Sequence, residues 1–230
     1  RLGINIPEAG LDFPAMKKHQ QQAVKIAALG AHKTLADAQA ETKFGTGEII
    51  SPREVQYKDA EGNARTLTTR NIIIASGAKP QLLPQIQLSE RIVTSDGLLD
   101  MEKLPESIVI VGASVIGVEF ATFFAEMGVK ATLIELLDRI LPYEDQEAAG
   151  LLRQELTRLG VSIHTATKLE TLQDTGIGIL ATAHGDDRQM EITADCALVC
   201  TGRQPLLNEE ELNKLKIDYT KAGIKIDKNM

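Results

Sequence analysis

The stretch "IVIVGASVIGVEFATFFAEMGVKATLIE", residues 108–135, decides the fold. Its first four residues are a β-branched apolar run, the mark of a strand buried on both faces. Gly112 then opens G-A-S-V-I-G, a GxGxxG pattern with Ser114 in the middle glycine place. Residues 115–127 read as a helix that is apolar almost all round and carries Phe120, Phe123 and Phe124, so both its sides should be covered. Gly128 stops that helix. Residues 131–135 read as a second strand, ending on Glu135, 23 residues after Gly112. A lone GxGxxG is weak; strand, turn, helix, strand and terminal acid in this order point to a dinucleotide site. A pyrophosphate needs a tight turn, close backbone approach and the free N–H groups of a helix start. Gly112 supplies the turn and Gly117 lets the helix pack on the strand. Ser114 brings a Cβ towards the phosphates, but its hydroxyl and N–H can still donate. Glu135 can accept both ribose hydroxyls of NAD and would repel the 2′-phosphate of NADP, and no arginine replaces it. Arg139, four residues on, reads as the start or cap of the next segment.

Working outward, residues 144–159 read as a helix with Leu151, Leu152, Leu156 and Leu159 facing inward, stopped by Gly160. Residues 161–164 are a third strand. Residues 177–183 and 190–193 read as a hairpin around "HGDD" (184–187), and "CALVC" (196–200) as a buried strand feeding "TGRQP". Upstream, residues 12–35 read as a helix, with Asp12 as N-cap, Pro14 in the first turn, and Met16, Ala23, Val24, Ala27, Ala31 and Leu35 near one stripe. The glutamines at 20–22 read as its solvated face. Short strands follow, broken at Pro52 and turned at residues 59–63, and "NIIIASG" (71–77) reads as a buried strand ending in a small-residue turn. The polar segment "SDGLLDMEKLPES" (95–107), with Pro105, reads as a domain boundary.

The composition narrows the function. The chain has 230 residues, 43% hydrophobic and 25% charged, with a net charge of −7. That is ordinary for a globular protein, and with no basic block it argues against nucleic acid or an anionic membrane surface as partner. No apolar run reaches the ~20 residues of a membrane span. The first residue is Arg1, and Met230 follows a strand-like "GIKID". Both ends read as internal, and the expectation is a piece of a larger cytoplasmic protein.

Some residues invite chemistry that the pattern does not support. Cys196 and Cys200 are spaced CxxxC on a strand, where positions four apart lie roughly 13 Å from one another. A disulfide needs Cα atoms within roughly 7 Å, so both read as core cysteines. His19, His32, His164 and His184 are scattered, with no partner at metal-ligand spacing. Glu209, Glu210 and Glu211 read as the surface start of a helix, where carboxylates suit the dipole. Asp186 and Asp187 read as a solvated hairpin tip.

Taken together, the fingerprint, "LLDRILP" (136–142), "CTGRQP" (200–205), "RNIIIASGAKP" (70–80) and "FGTGEIISP" (44–52) resemble the pyridine nucleotide–disulfide oxidoreductases, nearest to the dihydrolipoamide dehydrogenase branch. The resemblance runs over essentially the whole chain. It implies an α/β fold in which a Rossmann-like NAD-binding domain, with parallel sheet, helices and β-meander, is inserted in a partial FAD-binding domain. On this basis residues 1–100 are partial FAD domain, 101–222 the NAD domain, and 223–230 the return to the FAD domain. The implied NAD contacts are Gly112, Ala113, Ser114, Val115, Ile116, Gly117, Glu119 (near the nicotinamide end), Glu135, Leu169 through its backbone near the adenine, and Gly202. The implied FAD contacts are Gly47, Ser76, Gly77 and Ala78, with Ser76 where the family has threonine. The family's redox pair (CxxxxC) and its His–Glu base fall outside the chain, so no catalytic residue is expected within it. The intact protein would be a homodimer. A stand-alone nucleotide-binding or NADH-sensing module remains the alternative, and within the family a mercuric reductase-like parent stays open.

Overall fold

The structure, a computed structural model, describes residues 10–185 and 188–228. The described chain divides into two compact units, one of residues 10–18 and 80–203 and the other of residues 19–79 and 204–228. The sequence reading set its boundaries at 100/101 and 222/223. The difference at the first boundary has a plain cause: residues 92–94 form a strand of the same sheet as residue 108 onward.

The chain begins with α1 (Phe13–Asp37). Asp12 caps it, its carboxylate accepting from the Ala15 N–H at 2.9 Å. None of its residues is buried, and Val24, Ile26 and Leu29 are exposed, so the expected apolar stripe lies uncovered. Strands β1 (Thr46–Ser51), β2 (Glu54–Lys58) and β3 (Ala64–Thr68) form an antiparallel meander. Its turns fall at Pro52 and at Asp59, whose carboxylate accepts from the Glu61 and Asn63 N–H groups. Residues 71–77, expected as a buried strand, pair with no described strand, and Ile73 is 84% exposed. An apolar run becomes a strand only against neighbours that take up its N–H and C=O groups. A short extended piece, β4 (Ala78–Pro80), follows.

The second unit is layered. Strands β5 (Ile92–Thr94), β6 (Ser107–Val111), β7 (Lys130–Ile134), β8 (Ser162–His164) and β12 (Cys196–Val199) form a parallel sheet in the order β5-β12-β6-β7-β8. Helices α2 (Ser95–Leu99), α3 (Val115–Glu126) and α4 (Gln146–Arg158) lie between them in sequence. Strands β9 (Thr167–Asp174), β10 (Ile179–Gly185) and β11 (Arg188–Ala194) form an antiparallel meander. Alternation along β6 sends Ile108 and Ile110 into one core with Val118, Ala121 and Phe124 of α3 and Leu156 of α4. Val109 and Val111 go into another, with Leu169, Leu172, Ile179 and Ala181 of the meander. Both faces of the sheet are therefore covered, which is why its strands read as continuous apolar runs.

Two local expectations change. Leu151 is 63% exposed while Leu156 is fully buried, because the inward face of α4 is narrower than its leucine spacing suggests. Helix α3 buries Gly117, Val118, Ala121 and Phe124 but leaves Val115 exposed, so it is covered on one side rather than both. Beyond the sheet, β13 (Arg203–Pro205) leads to α5 (Glu209–Lys214), capped by the Asn208 side chain, and to the short pair β14 (Tyr219–Thr220) and β15 (Gly223–Ile224).

Candidate dinucleotide-binding site

The site is built where β6 hands over to α3. Gly112 has φ +107, and a Cβ there would come within 2.6 Å of the Cys200 carbonyl oxygen. At Gly117 a Cβ would fall 1.9 Å from the Gly112 carbonyl oxygen and 3.0 Å from Cys200 Sγ. Both glycines are required by close approach, one of strand end to strand end, the other of helix to turn. The turn is held from the neighbouring strand too, since the Gly112 N–H donates to Ile134 C=O at 2.8 Å.

Ser114 is the N-cap residue of α3, in extended conformation, and its side chain makes no capping bond. The first intrahelical bond runs from the Val118 N–H to Ser114 C=O at 3.0 Å. That leaves the N–H groups of Val115, Ile116 and Gly117 as the unpaired donors of the first turn. Val115 is 46% exposed, so the helix start is open. Donors, positive dipole end and absent cap fit an anionic diphosphate. Glu119 is exposed on the same helix.

Glu135 stands one residue past β7 and is 9% exposed. Its carboxylate accepts from the Ala113 N–H at 2.6 Å and from the Leu137 N–H at 2.9 Å. Two oxygens, each taking one N–H, keep a lone pair each for ribose hydroxyls. Arg139 donates to the Pro142 and Glu144 carbonyls. It braces its own loop and is not turned to a 2′-phosphate. Gly202, at φ +128, is exposed two residues beyond Cys200 and accepts from the Gln81 N–H at 3.0 Å. Thus Gly112, Ala113, Ser114, Val115, Ile116, Gly117, Glu135 and Gly202 gather at one end of the parallel sheet. Leu169 is buried by its side chain in the meander core, which leaves only its backbone to face a ligand.

Of the flavin-side candidates, Gly47 sits on β1 facing Val55, and Gly77, at φ +81, has open space about it. Ser76 spends its hydroxyl on the Leu206 carbonyl, and Leu206 returns its N–H to Gly77 C=O at 2.9 Å. Ala78 opens β4. These residues fit a flavin nucleotide in part: a turn with room, and no row of helix N–H groups beside it.

Cys200 is the residue that sequence reasoning undervalued. It is a free, buried thiol, as expected, but its Sγ donates to Val111 C=O and Gly112 C=O at 3.3 Å. Burial, with the Glu135 charge added, pushes its thiol up to about 12. Burial and the Asp195 charge do the same for Cys196, also up to about 12. Both stay protonated at neutral pH, unfit as nucleophiles. No local signal in the sequence gives this, because Cys200 reaches the turn only through the pairing of β12 with β6. Of the acidic run, Glu209 and Glu210 are exposed, but Glu211 turns in to accept from the Ile49 N–H. Asp186 and Asp187 lie outside the described residues.

The profile of the family described as pyridine nucleotide-disulphide oxidoreductase matches residues 11–230. A dihydrolipoyl dehydrogenase of Bacillus subtilis is 31% identical, over 100% of this chain and 50% of its own length. One from Chlamydia pneumoniae is also 31% identical, over 97% of this chain and 46% of its own. Among solved structures, the Cu(II) complex of a variant of the HOCl-induced flavoprotein disulfide reductase RclA from Escherichia coli superposes with TM-score 0.83 at 26% identity, over 96% of this chain and 50% of that one. LpdA from Mycobacterium tuberculosis gives TM-score 0.83 at 26% identity, over 94% of this chain and 48% of that one. The neighbours are flavoprotein disulfide reductases with two dinucleotide-binding domains, the fold class expected from sequence. The chain spans about half the length of the curated relatives it matches.

Proposed function

Because the chain belongs to the pyridine nucleotide–disulfide oxidoreductase family, we propose that it is the NAD(H)-binding central segment of an FAD-dependent disulfide oxidoreductase of the dihydrolipoamide dehydrogenase kind. In this reading the 80–203 unit is the NAD domain and the other unit carries part of the FAD site. When bound, the two cofactors would supply the chemistry, hydride exchange between flavin and nicotinamide fed by electrons from a dithiol. The chain's own residues bind and orient. The N–H groups of Ser114, Val115, Ile116 and Gly117 take the pyrophosphate. Glu135 takes the ribose hydroxyls and its charge disfavours a 2′-phosphate. The backbone of Leu169 borders the adenine, Glu119 the nicotinamide end, and Gly202 lines the site from the turn after β12. Ser76, Gly77, Ala78 and Gly47 are the flavin-side contacts. In this reading Cys196 and Cys200, buried and protonated, are core thiols and not a redox pair, and no residue of the segment is assigned a catalytic role. A homodimeric, cytoplasmic parent belongs to the same reading. No helix among the described residues is long and apolar enough to cross a membrane.

The observation that carries the proposal is the pair of glycine approaches, 2.6 Å at Gly112 and 1.9 Å at Gly117, beneath an uncapped helix start. Calorimetric titration of the chain with NADH and with NADPH tests it. Saturable NADH binding at least about tenfold tighter than NADPH is expected, since removing one charge-matched hydroxyl contact costs on the order of 1.5–3 kcal/mol. Equal affinity for the two would overturn the role given to Glu135. Binding of neither would leave the turn a packing device.

A further inference from the structure

The ribose acid is already at work in the protein without any ligand. The Glu135 N–H donates to His164 C=O, its C=O accepts from the Thr167 N–H, and its two carboxylate oxygens hold the N–H groups of Ala113 and Leu137. Every polar group of the residue is engaged. The peptide groups of Ala113, a fully buried residue in the middle of the fingerprint turn, are gripped on both sides. The N–H is taken by Glu135, and the C=O accepts from the Leu141 N–H at 2.8 Å. Leu141 adopts φ +47 to make that bond, and Ala166 adopts φ +49 to donate to Leu137 C=O. Side chains other than glycine rarely hold such angles, and do so where the surroundings over-determine them.

We infer that Glu135 is a positioning residue for the pyrophosphate turn, in addition to facing the ribose. By accepting from the Ala113 N–H it fixes the Gly112–Ala113 peptide, while the Leu141 N–H holds the Ala113–Ser114 peptide, and the two together aim the free N–H groups of the helix start before a dinucleotide arrives. The Leu137 bond ties the same carboxylate to the loop that carries Leu141, closing a ring from acid to loop to turn. A carboxylate suits this place better than an amide, because both its oxygens accept. Glutamine would present an NH₂ group to one of the two backbone N–H donors.

This inference rests on the site being a dinucleotide site, but its first test needs no dinucleotide. Amide hydrogen exchange is measured on the full chain and on Glu135→Gln and Glu135→Asp, without cofactor. Exchange at Ala113 and Leu137 should quicken about tenfold or more in Glu135→Asp, too short to hold both, and in Glu135→Gln at whichever of the two faces the NH₂ group, while Ile110 and Leu133 keep their protection. Unchanged protection at both residues in both variants overturns the inference. Equal loss of protection at Ile110 also overturns it, because the carboxylate would then serve the whole fold. The second readout is binding of NADH and of an NADH analogue whose adenosine ribose lacks both hydroxyls. If Glu135 acts through the turn, Glu135→Gln weakens both ligands by about tenfold or more. If it acts only on the ribose, the penalty vanishes for the analogue. Failure of the wild-type chain to bind either nucleotide would sink the nucleotide reading alone, with the exchange result still deciding the grip.

Discussion

The two units of this chain are made of similar residues and reach different states. Among the described residues, every buried apolar side chain but Leu212 lies between Ile86 and Cys200, in the unit that carries the fingerprint. The other unit takes in residues 19–37 of α1, none of them buried, and exposes Phe44 and Ile73. The fingerprint unit closes on itself, with helices on one sheet face and a meander on the other. The flanking unit shows apolar sequence without apolar cover. Burial is set by neighbours, and an apolar run has the same composition whether or not its neighbours are there.

Three substitution experiments sharpen that contrast. The largest effect is expected at Gly117, where the Cβ of Gly117→Ala would meet the Gly112 carbonyl at 1.9 Å. The variant should lose about 3 kcal/mol of unfolding free energy in denaturant titration, as overpacking against backbone does. It should also lose NADH binding. A matched pair comes next. Ile110→Ala empties a fully buried site and should cost about 3 kcal/mol, whereas Ile73→Ala, at an 84% exposed position, should change stability by less than about 0.5 kcal/mol. Similar losses at both positions would mean that the flanking unit has a core of its own. The smallest effect concerns the thiols. Their pKa rises from 9.0 to about 12 on burial, so the protonated form is the folded one. An unfolded thiol starts to ionise near 9.0, a folded one near 12. Their contribution is therefore intact below pH 9 and fades as pH climbs towards 12. Replacing both with alanine should flatten this part of the alkaline stability curve, and iodoacetamide at pH 8 should label neither until the protein unfolds.

The contrast also explains what the sequence revealed and what it hid. The strand–turn–helix–strand of residues 108–135 was legible because each element is anchored by something local, a glycine of fixed geometry, a β-branched run or a terminal acid. The turn at Asp59 was legible for the same reason. Strand β9 escaped notice because Thr167–Asp174 mixes lysine and glutamate with few large apolar residues; its strand character comes from pairing with β10. Residues 71–77 misled in the other direction, with strong strand propensity and no described partner. In the site, Glu135 was recognisable by its spacing from Gly112, but its grip on Ala113 was not, since a hydrogen bond to backbone leaves no trace in residue type. Cys200 likewise became part of the site only through a strand pairing that no local pattern announces.

The sheet order gives the fold a definite timetable. Strand β12, the last of the five in sequence, lies between β5 and β6, so it enters the middle of the sheet and not its edge. A chain emerging from the ribosome completes the whole fingerprint and still lacks the strand on which it rests. Gly112 meets the Cys200 carbonyl, and that residue comes 88 positions later. The Gly112 turn is thus synthesised well before the strand that sets it. A release of the chain between residues 165 and 195 leaves β5 and the β6-β7-β8 sheet each with an unpaired inner edge, a surface made for sticking to other chains.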